Sequence, residues 1–305
     1  MKYIAIHSEG GLIPYDLLEK IANEDAPGQK AADFGLAKGR RLSDEIQRVW
    51  SDAQDLWDIF RRRRESLPEK DPHGTTLTRE RWIVPLLTDA QILGYELKFQ
   101  PAGVELHGLN FPVSHWAGEG DGGPPVHIEG FKVELDRKGA KLRTSPRAMV
   151  QEFLNHSEAH LWGIVTNGLS FRLLRDSART ARSTYLEFDL ESILEGNRFS
   201  EFAIFYRLTR PELKLTKKDE QQVKRVAAEL LQTLKKERLV LDWRKKQQTR
   251  AAVRVCIEKT LDQLPRVFSG ELYREKCELT YQHVYDSYFG LGSSVYESRG
   301  GSGAA

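Results

Sequence analysis

The hydrophobic period changes once along this chain, and that change limits the folds open to it. Between Tyr95 and Asp189 the apolar residues come in short runs of strand length, separated by Gly, Pro and Asn. Runs of that length bounded by turn residues read as strands. Farther on they recur three and four residues apart, as in Val223, Val226, Leu230 and Leu234, and again in Val253, Ile257 and Leu261. That spacing puts them on one face of a helix. The pattern predicts an α+β (or α/β) domain with a small mixed sheet over residues 1–210, then an all-helical domain over 211–297. The Gly-rich tail 298–305 is expected to be disordered.

Residues 1–35 read as irregular, with one short helix at Tyr15–Ala22 opened by Pro14 and broken by Pro27-Gly28. A longer helix is expected with Ser43 as its cap, carrying Ile46, Val49, Trp50, Leu56, Trp57 and Phe60 inward and closing on Arg61 to Arg64. Another opens at Thr78, buries Trp82, Leu86, Leu87 and Ile92, kinks at Pro85 and ends at Gly94. Strands are expected at Tyr95–Gln100, Val104–His115 and Val126–Leu135, with a loop over Gly118–Pro125. Pro146 starts a helix running to about His156. Asn167-Gly168 is a strong hairpin signal, so Leu161–Thr166 and Leu169–Leu174 should pair. Tyr185–Asp189 adds a strand, and Leu190–Leu208 reads as helical. A last helix is expected from Gly270 to Tyr288.

Several functions are disfavoured by what is missing. No Gly-x-x-x-x-Gly-Lys-Ser/Thr loop is present, nor an Asn-Pro-Pro-Tyr run, nor a Gly-x-Ser-x-Gly elbow. P-loop ATPase, adenine methyltransferase and serine hydrolase chemistry therefore lose their usual motifs. The two cysteines, Cys256 and Cys277, fall in helical patterns with no metal-ligand spacing, which suits a reducing cytoplasm. No run approaches the roughly 18 apolar residues of a spanning helix. The expectation is a cytoplasmic protein with no membrane partner, no metal site and no cofactor. His107, His115 and His127 are placed to approach one another across neighbouring strands, and ordinary polar roles are expected for them.

The order helix, three strands, helix, two strands resembles the layout of a PD-(D/E)XK nuclease core. That resemblance implies a carboxylate at the end of one strand and Glu-x-Lys on the next, holding magnesium that activates water. Here the first position reads Ser114-His115 and the second Glu134-Leu135-Asp136. A literal Glu-x-Lys, Glu96-Leu97-Lys98, falls on the first strand. A degenerate core without catalysis by this chain alone is expected. The alternative is a divergent magnesium-dependent DNA endonuclease, with Asp121 (or Glu119) from the loop, Glu134 and Lys138 as its catalytic candidates.

From Arg207 to Arg254, fifteen Lys or Arg stand against six Asp or Glu, a local net of +9 in a chain whose whole net charge is +2. Such a face attracts phosphate whatever the bases. Lys235, Lys236, Arg238, Arg244, Lys245, Lys246 and Arg250 are the nucleic-acid-binding candidates. Trp243 beside them is expected to be buried in the core rather than stacked on a base.

Two resemblances cover different parts of the chain. GGLIPYDLLEKIA, PGQKAADFGL, LTRERWIVPLL, SPRAMVQEFLNHSEAHLWGIVTNGLSFRLLRD and YLEFDLESIL resemble the region ahead of the methyltransferase core in fused type IIG-like restriction–methyltransferase proteins. LKLTKKDEQQVKRVAAELLQTLKKERLVLDWRKKQQTRAAVRVCIEKTLDQLP and YREKCELTYQHVYDSYFG resemble the C-terminal helical region of the type I restriction enzyme R subunit. Together they imply a DNA restriction–modification role in phage defence, with DNA and the methyltransferase, specificity and motor subunits as partners. The join falls near Arg210-Pro211.

Overall fold

The computed structural model describes residues 3–26, 28–118, 123–138, 144–176, 184–210, 217–238, 243–264, 270–290 and 293–294. They form two compact units, Met1–Lys217 and Lys218–Ala305.

The first unit begins with β1 (Ile6–Glu9), α1 (Tyr15–Ala22), a 3₁₀ turn (Ala31–Phe34) and α2 (Leu42–Arg64). Next come α3 (Thr75–Thr78), a π turn (Arg79–Ile83) and α4 (Val84–Thr88). The strands β2 (Leu97–Phe99), β3 (Val104–Leu106), β4 (Leu109–Phe111), β5 (His115–Ala117) and β6 (Pro125–Ile128) lead to α5 (Pro146–His156). After them run β7 (Trp162–Thr166), β8 (Ser170–Arg175), β9 (Tyr185–Asp189), α6 (Leu190–Glu195) and α7 (Phe199–Thr209).

Seven strands make one mixed sheet in the order β1-β9-β8-β7-β6-β5-β2. Only β6 and β7 pair in parallel among its described strands, because α5 carries the chain back between them. Both faces are covered. Ile164 of β7 packs into a core with Val49, Trp50, Phe60, Trp82 and Phe205. Its neighbour Val165 packs into the opposite core with Met149, Val150 and Phe153 of α5. The pleat sends successive residues to opposite faces. A strand covered twice must be apolar throughout, and Gly-Ile-Val-Thr is buried at each position.

Local sequence explains most of these elements. Ser145 accepts a hydrogen bond from the Ala148 N–H at 3.3 Å and caps α5, with Pro146 at its first position. Gly168 in the hairpin has φ +85°, and Asn167 Oδ1 accepts from the N–H groups of Leu169 and Ser170 at 3.0 and 2.9 Å. The kink expected at Pro85 takes the form of the π turn just before it, which widens the backbone where proline removes a donor.

Other expectations need correction. The segment read as irregular at the start contains β1, which pairs antiparallel with β9. Its position is fixed by the Ala5 N–H donating to the buried Glu201 carboxylate at 2.6 Å. Arg41, not Ser43, stands at the N-cap of α2. The run Val104–His115 is not one strand: it folds into the hairpin β3–β4 and reaches the sheet only at β5. His107 and Gly108 turn that hairpin with φ of +51° and +76°, the handedness that two-residue hairpins favour. The run Val126–Leu135 stops being a strand at Ile128. Gly130 then packs so closely on the His73 carbonyl that an added Cβ would sit 2.2 Å from it. Leu190–Leu208 is two helices, broken near Asn197 at φ +50°.

The second unit holds α8 (Lys217–Thr233), a π turn (Leu234–Arg238), α9 (Gln247–Leu261) and α10 (Gly270–Ser287). Val226, Leu230, Trp243, Val253, Ile257, Tyr281 and Val284 form its core. Among the described residues there is no strand between Glu220 and Leu261. The all-helical expectation for 211–297 nevertheless fails at its end, where β10 (Tyr288–Gly290) pairs antiparallel with β11 (Ser293–Ser294). Trp243 Nε1–H donates to the Tyr288 carbonyl at 3.2 Å, giving this buried indole a polar partner beside the hairpin.

Candidate functional site

Two regions carry the chemistry the sequence singled out. The first is the end of β6, where it meets the start of β5. Ser114 Oγ accepts from the Ile128 N–H at 2.9 Å and lies 2.8 Å from His115 Nδ1. His127 Nε2 lies 2.9 Å from Glu129 Oε1, while its Nδ1 is buried without a hydrogen-bond partner. From the π turn, Arg79 donates to the Ile128 carbonyl through Nε at 2.9 Å and Nη2 at 2.7 Å. Its guanidinium also lies over the Phe99 ring, which in turn packs on His115.

Burial sets the charges here. It holds the His115 imidazole down to about 4, helped by the positive charges of Arg79 and His127. Burial raises the Glu129 carboxyl, but the His127 hydrogen bond, the His127 and Arg79 charges and a backbone N–H outweigh it. The net position is below the ordinary carboxylate range. This cluster offers one carboxylate, two imidazoles and a guanidinium. Among the described residues, no group of three His, Cys, Asp or Glu side chains is arranged to hold a metal ion.

The catalytic candidates fall elsewhere. Glu134 and Lys138 lie past the end of β6 and are exposed, Glu134 standing 3.5 Å from Arg137. Asp121 and Glu119 lie outside the described residues. Asp136, expected at a strand end, instead pairs with Arg147 and with Arg172 at 2.8 Å. Arg172 also binds Glu187 of β9. These charges neutralise one another against the α5 face. Of the three strand histidines, His115 and His127 are close neighbours, and His107 sits apart in the β3–β4 turn. Arg79 and Glu129 were missed. Arg79 lies in the helical run LTRERWIVPLL, where nothing marks it apart from Arg81, and Glu129 falls inside a run whose apolar pattern predicts continuous strand.

The second region is the basic part of the helical unit. Lys235, Lys236, Lys245 and Lys246 are exposed, and Arg250 is half-buried on α9. Arg238 closes the π turn. Arg244 is turned inward, with its guanidinium 5.0 Å from the Tyr285 ring centroid. Trp243 is fully buried, as expected from the helical pattern. Arg254 is spent on Glu278, at 2.8 and 3.0 Å, and on the Tyr281 ring. The solvent-facing positive charge is thus carried mainly by lysines.

Comparison with known proteins identifies part of this region. Residues 195–279 match the family described as type I restriction enzyme HindI endonuclease subunit-like, C-terminal. The match starts in α6, upstream of the segment quoted for the R subunit, and ends in α10. A search of curated proteins and a search of solved structures each found no match. Residues 195–279 are therefore a restriction-enzyme-related segment. Among the described residues no helix is long and apolar enough to cross a membrane.

Proposed function

We propose that this chain is a non-catalytic DNA-binding and assembly component of a DNA restriction–modification system in phage defence. The observation that carries the reading is the match of residues 195–279 to the C-terminal family of a type I restriction endonuclease subunit. The helical unit, joined near Arg210-Pro211, supplies the DNA contact through its lysines and the docking contact to methyltransferase, specificity or motor subunits. Lysine charges exposed on helices suit phosphate binding without base readout.

A degenerate nuclease-like core is part of this reading, and what supports it is the strand order β2-β5-β6 with α5 crossing to a parallel β7. On this reading Ser114-His115 takes the place where magnesium chemistry would call for a carboxylate, and Glu134-Leu135-Asp136 the place where it would call for Glu-x-Lys. We therefore assign this end of the sheet a structural role. The test is plasmid DNA incubated with the full chain and magnesium or manganese, with no cleavage expected. Cleavage abolished by Glu134→Ala or Glu129→Gln would overturn the reading in favour of a divergent endonuclease. Capture of methyltransferase and specificity subunits by the full chain, lost when exposed lysines of the helical unit are changed, is the matching positive result.

A further inference from the structure

A cleft of about 690 Å³ opens in the first unit, on the α5 side of the sheet. It is bounded by β2 and β5, by the β3–β4 hairpin and by the connection from α5 to β7. The volume lies in the range of small-molecule sites. We propose that it binds a nucleotide with an amino-bearing base, the base against Trp116 and a phosphate at Lys98. This goes beyond the DNA contact assigned to the helical unit and does not depend on it.

Three observations point to that ligand. The first is the indole of Trp116, which is half-buried and braced by two rings at right angles. His160 stands 4.7 Å away at 81° and Phe153 5.9 Å away at 89°. His160 is itself positioned by Ser157 at 2.6 Å. An aromatic surface fixed in this way takes a planar base with little reordering. The second is register. Lys98 is the cross-strand partner of Trp116, so the two side chains leave the sheet on one face, with their Cβ atoms about 5 Å apart. The flexible four-carbon stem of Lys98 lets its ammonium reach a phosphate carried by a base that lies on the indole. The third is the rim. Lys98 is the one Lys or Arg among the described lining residues, and the exposed Glu105, His107 and Glu158 stand with Gln100 on the polar edge. One cation suits one phosphate, and the carboxylates can accept hydrogen bonds from an exocyclic amine.

The nucleotide's source is either free mononucleotide or an unpaired nucleotide in a DNA strand. Calorimetric titration of the full chain with AMP, IMP, adenosine and a short single-stranded deoxyadenylate oligonucleotide separates the two. AMP should bind, and IMP, which has a carbonyl oxygen in place of the amine, should bind several-fold more weakly. Lys98→Gln should weaken AMP roughly tenfold and leave adenosine unchanged. Trp116→Leu, which keeps apolar bulk, should weaken AMP and adenosine alike by roughly tenfold, the size of one lost base–aromatic stack. Oligonucleotide binding that competes with AMP assigns the unpaired-strand source, and AMP binding alone assigns the free one. Changing Lys245 and Lys246 to Gln should leave AMP binding intact, so failure of the DNA-binding reading is distinguishable. The proposal is overturned if neither AMP nor the oligonucleotide binds the parent, if IMP binds as well as AMP, or if both cleft variants bind AMP like the parent.

Discussion

His115 is a base kept neutral by its surroundings, and it makes stability depend on pH. Its imidazole is 6% exposed and titrates near 4 rather than 6.5, with burial as the main cause and Arg79 and His127 adding to it. A histidine with a lowered folded value costs nothing above the unfolded value. As pH falls from 6.5 towards 4, the unfolded chain takes up a proton that the folded chain refuses, and stability is lost across that window. The loss is at most about 3 kcal/mol. Glu129, also lowered, contributes above the ordinary carboxylate range and adds its loss only below it. Urea denaturation at pH 7 and pH 5 should show a clear drop in the parent and a smaller one in His115→Gln. Equal drops would place the titrating group elsewhere. A second prediction at this scale concerns Trp243, buried in the helical unit with its Nε1–H on Tyr288. Trp243→Ala should cost roughly 3–5 kcal/mol from lost burial and the cavity together. A change below about 1 kcal/mol in its unfolding free energy would mean that the indole is not in that core.

At the scale of elements, the β7–β8 hairpin joins the sheet to the helix layer. Gly168 has φ +85°, and an added Cβ would lie 2.7 Å from Thr78 Cγ2 and 3.1 Å from Trp82 Cδ1. Its carbonyl accepts from Trp82 Nε1–H at 2.7 Å. Gly168→Ala should therefore destabilise the first unit by roughly 2 kcal/mol through strained backbone and contact with the indole. A thermal melt unchanged from the parent would refute that account. This hairpin was legible because Asn-Gly encodes its turn locally. The α5 start was legible for the same reason, through Ser145-Pro146. β1 was not, because Ile6, His7, Ser8 and Glu9 show no alternation strong enough to mark a strand, and a distant partner, β9, fixes it. The false strand over Val126–Leu135 arose because apolar residues continue past Ile128 into turns that bury Leu135 against α5. Burial outside regular structure leaves the same apolar trace as a strand. For the same reason Glu129 was invisible as a site residue: its importance comes from the strand ending one residue earlier.

At the scale of the whole molecule, charge is unevenly shared along the chain. The stretch Arg207–Arg254 carries a net +9 and the chain only +2, so the remainder is net acidic. The sequence identified this stretch correctly as basic but did not separate its charges by role. In the structure, Arg244 packs on Tyr285 and Arg254 on Tyr281 and Glu278, while Lys236, Lys245 and Lys246 are exposed, as is Lys235, whose ammonium lies over the Tyr288 ring. Lysine is a hydrated point charge well suited to phosphate, while a stacked arginine gives up packing when it leaves its ring. The consequence separates two kinds of variant. Each neutralised phosphate contributes a slope of about −0.9 to log affinity against log salt. If Lys245 and Lys246 each meet a phosphate, changing both to Gln should flatten the slope by about 2 and weaken every duplex to a similar degree. Arg244→Gln should leave the slope nearly unchanged and instead lower the unfolding midpoint of the helical unit. Duplex titrations from 50 to 200 mM salt decide between these outcomes. A double lysine variant with the parent's slope would remove those lysines from the DNA contact. A flattened slope in Arg244→Gln would show that its guanidinium leaves Tyr285 to reach phosphate.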